Sequence, residues 1–114
     1  MCGIIGYIGG ERASDKIYLG LEKLEYRGYD SCGVVVFNKD TNELAYSHHL
    51  QAPSNIEVRH ALPKSSCGIG HTRWATHGSV TLENTHPHRS CDGSVFLVHN
   101  GVIENADEIK QGLE

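Results

Sequence analysis

The chain has 114 residues, 39% hydrophobic and 21% charged, with a formal net charge of −4, which suits one globular unit with a single core and leaves no room for a second domain of ordinary size. No apolar run approaches the ~20 residues of a membrane helix, and the start Met1-Cys2-Gly3 lacks the basic region of a secretory leader, so the expected location is the cytosol. A negative balance without a Lys/Arg block argues against nucleic acid or an anionic membrane as the partner and favours a small molecule.

Gly3-Ile4-Ile5-Gly6-Tyr7-Ile8, closed by Gly9-Gly10, has the length of a strand. Ser14 is expected to cap a helix with Asp15 in its first turn and Ile17, Leu21 and Leu24 on one apolar face, stopping near Arg27-Gly28. The β-branched run Cys32 to Phe37 predicts a strand covered on both faces, and the turn chemistry of Asn38 to Asn42 predicts a hairpin return through Leu44 to Ser47. Ser54 to Leu62 reads as a short helix ended by Pro63. Cys67 to His71 reads as a strand, and the polar stretch from Arg73 to Ser90 as a long functional loop. Ser94 to Val98 predicts another buried strand, and Asn105 with Glu108 a capping box opening a last helix that carries Ile109 and Leu113.

Of the four cysteines, Cys32 and Cys67 read as buried thiols, and no C-x-x-C pairing suggests disulfides. Cys2 stands apart by position. Once Met1 is removed, its α-amino group and thiol place a base and a nucleophile on one residue. The alternative is a chance second residue with an inert thiol. For the eight histidines, zinc held by His86, His88 and Cys91 is an alternative, but no pair with finger or ribbon spacing completes a four-ligand set, so neither metal nor cofactor is expected.

Cys2-Gly3-Ile4, Arg27-Gly28-Tyr29-Asp30-Ser31, His71-Thr72-Arg73-Trp74-Ala75-Thr76-His77-Gly78 and His99-Asn100-Gly101, in that order along nearly the whole chain, resemble the class II glutamine amidotransferases, a branch of the N-terminal-nucleophile hydrolases. Tyr29, the string from Thr72 to Gly78 and Asn84-Thr85-His86-Pro87-His88 look like its hexosamine-forming members. The resemblance implies an α/β fold of the four-layer αββα sandwich type, incomplete here, with Cys2 at the end of a central strand and residues 1–114 as one type-2 amidotransferase domain. It implies that Cys2 attacks the side-chain amide of glutamine, that Asn100 and Gly101 form the oxyanion hole, and that Arg27 and Gly28 hold the new N-terminus while Asp30 and Ser31 brace the loop. Arg73, whose planar fork suits a carboxylate, would grip the glutamine with Thr76 and His77. Trp74 would shield the site, and His86 would help build the glutamine pocket.

The same resemblance implies that ammonia passes to an isomerase domain acting on fructose 6-phosphate, in a homo-oligomer. That domain has no counterpart in these residues, and neither has the family's later Thr-Asp-Thr segment, so the chain is expected to continue in a longer gene product. The competing reading is a non-catalytic module that binds glutamine without turnover.

Overall fold

A computed structural model describes residues 2–10, 12–56, 62–74 and 79–114. Its platform is an antiparallel sheet in the order β1-β4-β2-β3, built from β1 (Gly3–Ile8), β2 (Ser31–Asn38), β3 (Glu43–His49) and β4 (Cys67–Arg73). The β2–β3 hairpin forms where the turn residues predict it. The Asn38 side-chain oxygen accepts the backbone N–H groups of Asp40 and Thr41, and Asn42 takes the left-handed conformation, with φ 56°, that asparagine tolerates.

Strand alternation then sorts the side chains. Cys32, Val34 and Val36 share one face with Ile5, Tyr7, Gly68 and Gly70, and helix α1 (Ala13–Lys23) packs there through Ile17, Tyr18 and Leu21. The helix can approach because β4 carries glycine beneath it: a Cβ on Gly70 would lie 2.5 Å from Ile17 Cγ2. Tyr18 buries its ring there and satisfies its hydroxyl against Ser47 Oγ at 2.8 Å.

The opposite face, with Ser31, Gly33, Val35, Tyr46, His48, His71 and Arg73, is partly covered by a two-stranded sheet of β5 (His88–Arg89) and β6 (Phe96–Leu97). Tyr46 anchors it, its ring 5.6 Å from that of Phe96 and its hydroxyl accepting from Arg89 at 3.0 Å. The layers therefore run helix, sheet and a small second sheet, a partial αββα sandwich followed by α2 (Ala106–Leu113). None of the described helices is long and apolar enough to cross a membrane.

Several local expectations are corrected. Ser14 lies inside α1 and does not cap it. The first-turn N–H of Ala13 instead reaches the backbone carbonyl of Ser65, where residues 12 and 65 form a β-bridge. Past Lys23 the chain tightens into a 3-10 turn, Glu25–Arg27, before Gly28. Pro53–Asn55 is a 3-10 turn too, and most of the helix expected up to Leu62 falls on residues 57–61, outside the described residues. Cys67 is half-buried, unlike Cys32.

Strand β1, expected in the centre, lies at an edge of the sheet that the described residues form. The run Ser94 to Val98 yields only the two residues of β6, with Val95 57% and Leu97 51% exposed, because an apolar strand is buried only where a further layer covers it. Asn105 precedes α2 but makes no side-chain cap bond. Its φ/ψ of −108°/36° is not the extended geometry that aims a cap side chain at the first-turn N–H groups.

Ile17 is fully buried between α1 and β4, whereas Leu19 on the same helix is half-exposed. Ile17→Ala should cost ~2–4 kcal/mol of unfolding free energy and Leu19→Ala less than ~1 kcal/mol, as read by urea denaturation. Equal costs would contradict this placement of the core.

Candidate functional site

The site forms where β1 begins beside the end of β4. Their last register pair is Gly3↔Thr72, so one step beyond it Cys2 meets the Arg73-Trp74 segment, with its Sγ 4.0 Å from the Trp74 carbonyl oxygen. Four further hydrogen bonds fix the main chain there. Arg27 Nε donates to the Cys2 carbonyl at 3.3 Å, and Asn100 Nδ2 donates to the same oxygen at 3.2 Å. The Cys2 nitrogen donates to Asn100 Oδ1 at 3.3 Å, and the Gly3 N–H donates to Thr72 Oγ1 at 3.2 Å.

Each partner reaches this point for a local reason. Arg27 closes the 3-10 turn after α1, and Gly28 lets that turn lie flat on β4: a Cβ there would sit 2.6 Å from the Arg73 carbonyl carbon. The Asp30 N–H donates to the Arg73 carbonyl at 3.1 Å, stitching the connection to the end of β4. Ser31 lies alongside, fully buried, and its hydroxyl has no hydrogen-bond partner among the described residues. Asn100 and Gly101 lie three and four residues past the end of β6, with no return strand behind them among the described residues. Gly101 has φ 157°, a conformation that other residues rarely adopt.

Cys2, Arg73, Trp74, Asn84, His86, His88, His99 and Gly101 line a cavity of about 190 Å³. Arg73 is only 7% exposed and not a solvated surface arginine. Its guanidinium donates to the Ser79 carbonyl at 2.8 Å, and Asn84 Nδ2 donates to the same oxygen at 3.0 Å. Trp74 is half-exposed, with its ring 5.7 Å from that of Tyr29 at the rim. Thr76 and His77 lie outside the described residues. His86 stacks on His71 with centroids 4.0 Å apart, and no group of three or more His, Cys, Asp or Glu side chains among the described residues is arranged to hold a metal ion. Cys91, considered with His86 and His88 as a zinc ligand, is exposed.

The environment favours uncharged imidazoles. Burial, followed by repulsion from His88, Arg73 and His99 and opposed by the hydrogen bond to the His99 carbonyl, lowers His71 to about 4. Burial and then the neighbouring His71, His88, Arg73 and His99 lower His86 to about 3. Two contributors escaped sequence reasoning as separate features. Thr72 and His71 sit within a motif, and only the strand register shows that one faces Gly3 on the α1 side while the other faces the cavity side.

No protein-family model matches the chain. It is 51% identical over 110 residues to a glutamine–fructose-6-phosphate aminotransferase (isomerizing) of Staphylococcus epidermidis, covering 96% of this chain and 18% of that protein. It is also 51% identical over 116 residues to the Streptococcus mutans protein of the same name, covering 97% and 18%. The chain thus spans under a fifth of the length of these curated relatives.

Among solved structures it superposes on the allosteric regulatory enzyme of purine biosynthesis with a TM-score of 0.84 at 30% identity, covering 99% of this chain and 25% of that one. For the Bacillus subtilis glutamine phosphoribosylpyrophosphate amidotransferase complexed with ADP and GMP, the TM-score is 0.81 at 30% identity, over 99% and 24%.

The cysteines differ sharply in accessibility. Cys2 is half-exposed and Cys91 exposed, whereas Cys32 is fully buried and its thiol is pushed up to about 12, by burial and then by Glu25. Since the thiolate is the reactive form, iodoacetamide at pH 8 should label Cys2 and Cys91 in the native protein and leave Cys32 unmodified until denaturant is added. Peptide mapping that finds Cys32 labelled as fast as Cys2 would overturn the assigned burial.

Proposed function

Starting from a chain that belongs to the class II glutamine amidotransferases, we propose that it hydrolyses the side-chain amide of glutamine to glutamate and ammonia. The observation that carries this reading is the cluster at Cys2: its nitrogen and carbonyl are both held by Asn100, its carbonyl also by Arg27, and its thiol opens on a cavity shared with Arg73 and Gly101. The cavity's 190 Å³ is below the ~300 Å³ at which pockets for drug-sized ligands begin, which suits an amino acid.

Removal of Met1 turns the Cys2 nitrogen into a free amine that takes the thiol proton, directly or through a water. The thiolate attacks the glutamine δ-carbonyl carbon and the carbonyl π pair moves to oxygen. Asn100 Nδ2 has two N–H groups, one directed at the Cys2 carbonyl, and its second serves the oxyanion with the Gly101 N–H. Collapse of the intermediate breaks the C–N bond, the ammonium group returns its proton to the leaving nitrogen, and ammonia departs. Water, deprotonated by the same amine, then cleaves the thioester, releasing glutamate and restoring the thiol. Arg73 pairs with the substrate α-carboxylate, assisted by Thr76 and His77, while Trp74 and His86 wall the pocket.

The names of the relatives support fructose 6-phosphate as the acceptor in a finer reading. In it, residues 1–114 are part of the amidotransferase domain of a longer enzyme, for which we further propose a cytosolic location and a homo-oligomeric assembly. Its ammonia converts fructose 6-phosphate to glucosamine 6-phosphate in a separate isomerase domain.

Mass spectrometry of the expressed protein should show Met1 removed, and in the full-length protein Cys2→Ser should nearly abolish glutamate release. Glutamine turnover by protein that retains Met1 would sink the mechanism.

Arg73 and Asn100 should separate by the step each serves. Arg73→Ala removes binding common to ground and transition states and should mainly raise KM for glutamine. Asn100→Ala removes a donor to charge present only in the transition state, so kcat should fall ~10²–10³-fold with KM much less changed. Steady-state kinetics with glutamine, then with ammonium as donor, check both: ammonium-dependent transfer should survive, and an intact kcat in Asn100→Ala would remove it from the oxyanion role.

A further inference from the structure

The chemistry above leaves unused a pair of stacked imidazoles immediately behind the Asn100-Gly101 donors. His71, fully buried on β4, and His86, on the loop before β5, lie nearly parallel, with an interplanar angle of 14° and centroids 4.0 Å apart. Both engage the main chain of one residue. His71 Nε2 donates to the His99 carbonyl at 3.3 Å, and the His99 N–H donates to His86 Nδ1 at 3.3 Å. Strand β6 ends at Leu97, so His99 lies beyond the β5–β6 ladder, and among the described residues these two rings serve its backbone groups.

The loop carrying His86 is itself held against the sheet. Gly33 leaves room for the His86 carbonyl, which a Cβ there would meet, and His48 Nε2 lies 2.9 Å from the Pro87 carbonyl oxygen.

The hydrogen bonds fix the tautomers. His71 must carry its proton on Nε2 to donate, and His86 must leave Nδ1 bare to accept, so both neutral rings are the Nε2–H form. The bare Nδ1 of His71 is buried and has no hydrogen-bond partner among the described residues. Protonating it would add to the paired Nε2–H an N–H with no acceptor among the described residues, and the downward shifts of both rings agree with neutrality.

We propose that His71 and His86 are positioning residues: a stacked pair that grips both backbone groups of His99 and thereby fixes the Asn100-Gly101 donors against Cys2. The inference rests on the reading of that pair as oxyanion donors. It assigns His86 a task on the protein's own main chain in addition to walling the pocket.

The test uses substitutions that keep or remove one nitrogen. In the full-length protein, His71→Phe and His86→Phe retain an aromatic ring but lose the donor and the acceptor. Each should lower kcat for glutamine hydrolysis ~10-fold or more while changing KM less than ~3-fold, as expected for misplaced transition-state donors. His71→Gln restores a donor near Nε2 and His86→Asn an acceptor near Nδ1, and each should recover most of the lost kcat. The proposal is overturned if the Gln and Asn variants are as impaired as the Phe variants, or if the loss lies in KM alone.

A readout independent of turnover covers variants that fold poorly and a wild type inert toward glutamine, which would defeat the functional reading by itself. Long-range ¹H–¹⁵N correlation at pH 7 should show His71 and His86 both protonated at Nε2, with a ¹⁵N–¹⁵N coupling across the hydrogen bond from His99 N to His86 Nδ1. A proton on Nδ1 of either ring would refute the clamp.

Discussion

The antiparallel pairing of β1 with β4, in the register Gly3↔Thr72, is the constraint on which the site depends. A one-residue slip in a sheet exchanges the two faces. Such a slip would turn Ile5 and Tyr7 away from α1 and carry Cys2 out of reach of the Trp74 carbonyl. The register is held from both sides. Ile5 packs on α1 at Gly20, and the Gly3 N–H is received by Thr72 Oγ1. The same strand pairs β2 on its other edge, so β4 transmits the position of the hydrophobic core to the cavity through Thr72 on one face and His71 and Arg73 on the other.

The residues around Cys2 are held mainly by side chains acting on main chain. Arg27 and Asn100 take the Cys2 carbonyl, Asn100 also takes its nitrogen, and His71 and His86 take both backbone groups of His99. Outside regular ladders the backbone still requires partners, and imidazole, amide and guanidinium groups supply them with directional geometry. Asn100 belongs to both sets, contacting Cys2 directly while its chain neighbour is gripped from behind. Cys2 and the Asn100-Gly101 pair are therefore linked through one short segment.

The second layer is less complete. The β5–β6 hairpin covers part of the sheet through Tyr46, Phe96 and Arg89, while Val102 and Ile103 stay more than half exposed and Leu113 on α2 is 84% exposed. Its turn is ordered locally: Asp92 accepts from the hydroxyls of Ser90 and Ser94 and the N–H of Ser94, and Gly93 supplies a positive φ of 73°. The Asp92-Gly93 pair carries an ordinary turn signal for this hairpin that sequence reasoning did not single out.

What the sequence determined by itself was whatever depends on local periodicity or on residue type. The 3.6-residue spacing of Ile17 and Leu21 marked the buried face of α1, the β-branched run marked β2, and Asn38 to Asn42 marked the hairpin turn, because each signal lies within a few adjacent residues. The motif strings likewise single out Cys2, Arg27, Arg73, Asn100 and Gly101 by residue type, and the structure brings these residues to one cavity rim.

Tertiary structure decided the rest. It replaced a Ser14 cap with the Ser65 carbonyl, put β1 at an edge, reduced the expected strand near Val95 to two residues, and made Arg73 a buried group. It also joined His71, His86 and His99, separated by 15 and 13 positions, into one stack and two hydrogen bonds. Such contacts arise from register and layer packing between distant segments, and no window of neighbouring residues contains the energy terms that select them.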